Sequence, residues 1–368
     1  MPKRSALRVE DALARAVLKQ HLALRRGETV TIETWSHALP WARALVVEAR
    51  RLGVRPTLIV EDESAFFRSL ELLGSAAVSG VSGGRAGASD AHVYFGGPEE
   101  FPRLLGLPAI DLERILDRSV RPRAPGPRGI RLAIGDVTPT AAARYGVDLG
   151  AWQSELLRAS LVGPRRLEAT GRGFVRRLAT AATIRVHHRN GTELTLRLAR
   201  RAPAVISGRQ GNDARAAWER VPSGIAILPI RPGSAEGTWE TNRPAYDRFA
   251  EPPTVVGGRF HFDAGRLTEF EFDRGGEGFA AAYARAGRGR ERPVALTIGL
   301  NPEIRRAPEV LELGLGTLGI LLGDAPHAGP GPRPGFSFLA TLAEADVYVD
   351  GVPWLRAGRP GRATRRSR

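Results

Sequence analysis

Apolar and polar residues follow different patterns in the two halves of this chain. In the first half, "RRGETVTIETW" and "VRPTLIVED" have the alternation of strands, and "SHALPWARALVVEARRLG" between them has the spacing of a helix. Parallel strands need such a helical crossover. Two further runs typical of strands, "DAHVYFGG" and "GIRLAIGDVTP", follow. The pattern therefore predicts an N-terminal open α/β sheet.

The second half is rich in predicted strands. "TIRVHHRNGTELTLRLA" has the pattern of a hairpin, because Asn190-Gly191 is a two-residue turn that favours positive φ. Further strands are predicted in "SGIAILPI", "RFHFDAGRLTEFEFD", "VALTIGL" and "ADVYVDGVPWL". We therefore predict an α/β domain over residues 1–175, a β-rich α+β domain over 176–356, and a basic, disordered tail over 357–368.

Composition narrows the class of protein. The 368 residues are 42% hydrophobic, enough for two cores, and no apolar run is long enough to span a bilayer or form a signal core. We therefore expect a cytoplasmic protein without a membrane partner. The absence of cysteine excludes disulfides and thiolate ligands, so a metal site would need His, Asp or Glu.

The net charge of +15 raises the question of nucleic-acid binding. Only Lys3 and Lys19 are lysines among the 54 basic residues, and this arginine bias, together with abundant Ala and Gly, is typical of GC-rich coding. The densest basic run, "RAGRPGRATRRSR", lies at the C-terminus. We do not expect nucleic acid to be the main partner, but binding of a polyanion stays an alternative.

Eight segments occur in the order and spacing of a known family. They are "LRRGETVTIET", "ATIRVHHRNGTELTLRL", "RVPSGIAILP", "SAEGTWETNRP", "FDAGRLTEFE", "IGLNPE", "GTLGILLGD" and "VYVDGVPWL". Their order resembles the aminopeptidase T family of dimetal aminopeptidases, whose fold also serves some ring-cleaving iron dioxygenases. The resemblance implies an N-terminal α/β domain followed by a β-rich α+β domain of the aminopeptidase T type, and a homodimer.

The resemblance also implies where the family's metal ligands would lie. In the family's "N-L-P-S-G-E-V" the Glu binds metal, and Ile225 stands there in this chain. The bridging Glu of "A-E-L-G-I-G-x-N-P" corresponds to Ala295, and the His of "G-T-x-H-x-x-L-G-D-N" to Gly319. The late "H-x-D" pair, counted back from "VYVDG", falls at Ser337 and Leu339.

Two-metal hydrolysis needs carboxylates and imidazoles that hold both ions around a bridging water. With those side chains absent, we expect no catalytic residue and no metal at these positions, and a catalytically silent protein with a binding or assembly role. A peptide or protein is then a possible partner. The alternative is an active metallo-aminopeptidase or another hydrolase that binds Zn, Co or Mn through relocated ligands in the same cleft. Whether the chain is an enzyme therefore stays open.

Five polar residues are weaker candidates for a pocket around these positions: Glu236, Asn301, Glu312, Asp324 and His327. Asp324 and His327, in "GDAPH", have the spacing of two metal ligands but lack a third. The alternative is that Asp324 caps a turn and His327 lies in a surface loop. We interpret Glu236 and the Asn-Pro of "GLNPE" as structural residues.

Histidines occur in two further places. His187 and His188 are neighbours on a predicted strand, so they point to opposite faces and cannot hold one metal together. Trp35, His37 and Trp41 follow the first strand, at the edge where open α/β sheets commonly bind ligands. Two interpretations of this stretch stay open, a ligand site or tryptophans that pack the helix against its neighbours.

Overall fold

A computed structural model describes residues 9–78, 89–108, 115, 128–178, 180–210, 219–246, 251–324 and 334–360. The chain divides into two compact units. The first comprises Met1–Pro164 and Gly208–Ser223, and the second Arg165–Ser207 and Gly224–Arg368. This division differs from a single cut at residue 175, because a segment from later in the chain returns to the first unit.

A five-stranded parallel sheet forms the centre of the first unit, in the order β2-β1-β3-β4-β8. Its first four strands are those that the hydrophobic pattern predicts, and β8 is the returning segment. The β-branched residues of β1, "TVTIETW", suit a strand that is covered on both sides. The strands are β1 (Thr29–Trp35), β2 (Arg55–Glu61), β3 (Ala91–Tyr94), β4 (Arg128–Leu132) and β8 (Glu219–Val221).

Helices connect these strands, and several begin at a side chain that caps the first turn. Asp62, Thr138 and Asp148 each accept a hydrogen bond from a backbone N–H three residues later. The helices are α1 (Val9–Arg15), continued by a π-helical turn (Ala16–His21), α2 (Leu39–Arg51), α3 (Glu63–Leu73), α4 (Ser75–Val78), α5 (Pro102–Leu105), α6 (Pro139–Tyr145) and α7 (Leu149–Ser160). Short 3-10 helices cover Ser36–Ala38 and Ala133–Asp136.

Part of the first unit's core forms around Trp35. Its ring meets that of Phe66 edge to face at 5.0 Å, and its indole N–H donates to the carbonyl oxygen of Gly96 at 2.9 Å. Phe67, Val78 and Leu104 complete this cluster of buried side chains. Trp35 is therefore a packing residue, as one of the two interpretations of "TWSHALPW" predicts.

The second unit contains two antiparallel sheets and one antiparallel pair, β11–β12. One sheet has five strands in the order β17-β16-β15-β9-β7, and the other has eight in the order β14-β13-β10-β6-β5-β18-β19-β20. The strands of the five-stranded sheet are β7 (Ala204–Ile206), β9 (Ile225–Pro229), β15 (Pro293–Gly299), β16 (Leu318–Gly323) and β17 (Ser337–Leu342).

The eight-stranded sheet includes the hairpin predicted at Asn190-Gly191, where Gly191 has a φ of +110°. Trp239, Phe260 and Phe262 are buried among its side chains. The remaining elements of the unit are α8 (Pro164–Leu178), whose first residue still belongs to the first unit, β5 (Ile184–His187), β6 (Glu193–Leu196), β10 (Glu236–Glu240), β11 (Ala245–Tyr246), β12 (Thr254–Val255), β13 (Arg259–Asp263), β14 (Arg266–Glu271), α9 (Glu277–Arg285), a 3-10 turn (Leu311–Leu313), β18 (Asp346–Val349), β19 (Val352–Arg356) and β20 (Arg359–Pro360).

None of the described helices combines the length and the apolar composition that crossing a bilayer requires.

Candidate functional site

The five positions that the resemblance assigns to metal ligands lie on one face of the five-stranded sheet. Thr297 pairs with Gly319 on one side and with Ile227 on the other. Ala295 lies two residues before Thr297, and Ile225 two residues before Ile227, so their side chains share the face of Thr297. Leu339 and Ser337 lie two and four residues before Thr341, which pairs with Gly319. The five positions, with Gly319 among them, therefore share the face that carries Thr297.

The space at the centre of this face is filled by other side chains. A Cβ placed on Gly319 would lie 2.5 Å from Oγ1 of Thr297 and 2.7 Å from Cδ1 of Leu339. Both distances are shorter than van der Waals contact, so a side chain at this position would have to displace its neighbours. Leu339 and Thr297 thus occupy the space that a side chain at position 319 would need.

The chemistry of this face is apolar at its centre. Ala295 is 0% exposed and Thr297 is 2% exposed. Ile225 and Leu339 are half-buried, and Ser337 at the rim is exposed. The Thr297 hydroxyl lies within donating distance of the Gly319 carbonyl oxygen, at 3.4 Å. Among the five positions, only Ser337 carries a side-chain oxygen, and none carries a carboxylate or an imidazole. These residues do not fit a pair of divalent ions.

The loop after β15 has a structural explanation. A Cβ on Gly299 would lie 2.0 Å from the carbonyl oxygen of Gly314, so only glycine permits this close approach of two backbone segments. Asn301 is 0% exposed, and its Oδ1 accepts a hydrogen bond from the backbone N–H of Glu303 at 3.1 Å. Its backbone exchanges two further bonds with Leu313 and Leu315. This geometry accounts for the Gly and Asn-Pro of the motif as requirements of the turn.

The other weak candidates within the described residues lie on different elements. Glu236 lies on β10 of the eight-stranded sheet, and its carboxylate accepts a hydrogen bond from the backbone N–H of Ala264 at 3.0 Å. Glu312 lies in the 3-10 turn after β15. Asp324 follows β16, where its backbone pairs with that of Phe336 and its buried Oδ1 has no hydrogen-bond partner among the described residues. His327 lies outside the described residues.

A different cluster of polar groups lies at the carboxyl end of the parallel sheet. One ring nitrogen of His37 and one carboxylate oxygen each of Glu63 and Glu99 lie within 4.8 Å of one another. His37 follows β1, Glu63 begins α3 shortly after β2, and Glu99 follows β3. It is the one set of three such side chains, within the described part of the chain, whose spacing could hold a metal ion. The sequence pattern points to His37 but to neither glutamate.

Hydrogen bonds hold this cluster in place. The His37 Nε2 lies 2.9 Å from the carbonyl oxygen of Gly135, which follows β4. The two carboxylate oxygens of Glu63 accept hydrogen bonds from the backbone N–H groups of Glu99, at 3.1 Å, and of Glu100, at 2.7 Å. The Glu63 backbone N–H in turn donates to the Ser36 hydroxyl at 3.2 Å. Segments that follow all four neighbouring strands therefore contribute to one site.

Gly135 itself depends on the absence of a side chain. A Cβ at this position would lie 2.8 Å from the carbonyl carbon and oxygen of Phe95. The segment after β4 therefore passes directly against the end of β3, and this approach places the Gly135 carbonyl oxygen beside the His37 ring.

Buried polar residues also lie on the parallel strands themselves. His92 Nε2 lies 3.1 Å from the Glu33 carboxylate, and both side chains are nearly inaccessible. The register places Glu33 beside Tyr94, and Tyr94 beside Arg131. Burial, the largest influence, raises the pKa of the Tyr94 hydroxyl to about 12. The hydrophobic pattern does not identify these residues. A buried polar residue interrupts the alternation of a strand, but the sequence does not indicate which residue it contacts.

Two further titratable groups of the first unit are perturbed by burial. Desolvation lowers the pKa of His21, whose Nδ1 lies 2.9 Å from the carbonyl oxygen of Gly208. Desolvation raises the pKa of the Glu219 carboxyl, on β8, to about 7. Both groups lie where the returning segment joins the first unit.

Comparison with solved structures gives the fold a context. AmpT from Thermus thermophilus matches with a TM-score of 0.67 and 18% sequence identity, over 96% of this chain and 99% of that one. This chain has an aminopeptidase T-like fold. The 2,5-dihydroxypyridine dioxygenase of Pseudomonas putida KT2440 also matches, with a TM-score of 0.59 and 13% identity over 97% of each chain. No protein-family model and no curated protein sequence matches.

The comparison confirms the predicted fold class, a mixed α/β fold with a parallel sheet followed by antiparallel sheets of the aminopeptidase T type. At this level of identity, the similarity concerns the fold alone.

Proposed function

We propose that this protein is a catalytically silent variant of the aminopeptidase T-like fold, with a binding or assembly role. In this proposal the face of the five-stranded antiparallel sheet carries apolar and small side chains instead of a dimetal peptidase site. The partner is a peptide or protein, or a second copy of the chain in a homodimer.

One observation supports this proposal more than any other. Leu339 and Thr297 fill the space above Gly319, at the centre of the five positions where the resemblance expects metal ligands. Removing a single ligand would alter the metal, whereas apolar or small residues at the central positions supply no ligand for either ion that would hold the bridging water of hydrolysis. Unpaired carboxylates buried there would also be costly, which favours apolar or small residues at all the central positions.

The experiment is a direct assay for aminopeptidase activity. The purified full chain is loaded with Zn²⁺, Co²⁺ or Mn²⁺ in turn and incubated with a panel of aminoacyl substrates, with Thermus thermophilus AmpT assayed in parallel as the positive control. We expect no release of amino acid above that of heat-denatured protein. Metal-dependent release that a chelator abolishes would overturn the proposal and would favour a hydrolase with relocated ligands.

A further inference from the structure

We propose that His37, Glu63 and Glu99 form a binding site for one divalent transition-metal ion in the first unit. The ion would be bound by a ring nitrogen of His37 and by one carboxylate oxygen from each glutamate. This site lies in the first unit, on elements distinct from the five-stranded antiparallel sheet of the second unit. It does not depend on whether the protein is catalytically silent.

The protonation state of His37 supports metal binding. A carbonyl oxygen only accepts hydrogen bonds, so Nε2, which lies 2.9 Å from the Gly135 oxygen, carries the proton. Nδ1 then has a free lone pair, and it is shielded from solvent without a hydrogen-bond partner among the described residues. A histidine that binds a metal usually donates its other N–H to a carbonyl or carboxylate in this manner.

The two carboxylates are held close together without a compensating cation. Within the described part of the chain, neither Glu63 nor Glu99 forms an ion pair, although the protein has 54 basic residues. Arg103, on the next helix, pairs with Glu71 at 2.7 Å instead. Two carboxylates in one partly buried site repel each other, and a divalent ion would neutralise both charges.

The donor atoms indicate the class of ion. Mixed imidazole and carboxylate ligands suit Zn²⁺, Co²⁺ and Mn²⁺, and three protein ligands leave a coordination position open for water or a small ligand. Tetrahedral coordination with bonds of about 2.1 Å separates ligand atoms by roughly 3.4 Å. The present separations lie within 4.8 Å, so the side chains would have to close by up to about 1.4 Å around the ion.

The test measures zinc binding to the full chain directly. After removal of metal with a chelator and desalting, Zn²⁺ is titrated by calorimetry and the bound metal is counted by elemental analysis. We expect one tight site per chain, a loss of affinity of at least tenfold in Glu99→Gln and the loss of the site in His37→Gln. The Glu99 carboxylate accepts no hydrogen bond from the described residues, so Glu99→Gln should fold normally, as circular dichroism would verify.

Two matched controls complete the experiment. Glu100→Gln changes the adjacent exposed carboxylate, and His261→Gln changes an exposed histidine on β13. Both should bind Zn²⁺ as the parent protein does. The absence of a saturable site, or parental affinity in Glu99→Gln, would overturn the proposal.

Discussion

The carboxyl end of one β-sheet and a face of another carry opposite chemistry in this protein. The carboxyl end of the parallel sheet brings together His37, Glu63 and Glu99 and orients them with backbone hydrogen bonds. The face of the five-stranded antiparallel sheet brings together Ala295, Gly319 and Leu339 instead. Side chains whose spacing could hold a metal ion therefore cluster at the end of the parallel sheet, whereas the antiparallel face carries small and apolar side chains.

The contrast shows how a fold and its chemistry can separate. A face of an antiparallel sheet is continuous, so small and apolar side chains can close it without any change of strand order. The end of a parallel sheet is formed by loops, which tolerate polar residues because they reach solvent. A sheet face and the ends of parallel strands can therefore differ in polarity within one fold.

The largest effect is expected from returning a carboxylate to the apolar face. In Ala295→Glu the charge is buried without a cation or metal, so we expect a loss of about 3–5 kcal/mol in the free energy of unfolding, measured with urea. Ser337→Glu, on the same face but exposed, should change stability by less than about 0.5 kcal/mol. If Ala295→Glu kept full stability and bound Zn²⁺, the antiparallel face would be an open metal site. The contrast between this face and the end of the parallel sheet would then be wrong.

The fold was predictable from sequence where local patterns determine it. The β1-α2-β2 unit and the hairpin at Asn190-Gly191 follow from hydrophobic spacing and from the turn that these two residues favour. The strand β8 was not predicted as part of the parallel sheet. It has three residues and pairs with β4, far earlier in the chain, so no local pattern indicates its partner.

The candidate site was less predictable than the fold. The resemblance points to Ala295 and Gly319, but the Leu339 side chain above Gly319 depends on strand register. His37, Glu63 and Glu99 converge because the sheet order β2-β1-β3 places the ends of three strands side by side. That order depends on long-range pairing, so each glutamate has the pattern of an ordinary surface residue in the sequence.

Substitutions at Gly319 and Leu339 test whether the Leu339 side chain fills the space next to Gly319. Gly319→Ala forces a methyl group against Thr297 and Leu339, so we expect a loss of about 2–3 kcal/mol. Leu339→Ala removes one of the two obstructing side chains. In the double variant, the cost of the alanine at 319 should fall by at least about 1 kcal/mol, a coupling measured by a double-mutant cycle in urea. Strict additivity would mean that Leu339 does not fill this space.

The smallest effect concerns the polar groups buried in the first unit, and it depends on pH. Burial raises the pKa of Glu219 from 4.5 to about 7, so between these values the folded state holds a proton that the unfolded chain has released. The free energy of unfolding therefore falls as pH rises through this range, and the penalty is complete above pH 7. Glu219→Gln removes the titration, so we expect equal stability near pH 4.5 and a gain of about 1–2 kcal/mol at pH 8, since the site is partly exposed.

Glu269→Gln, an exposed substitution on β14, is the control and should leave the pH dependence of urea unfolding as in the parent protein. If the difference in the free energy of unfolding between Glu219→Gln and the parent protein were constant across pH, the carboxyl would not be desolvated. The first unit would then have one fewer perturbed polar group to distinguish it from the second.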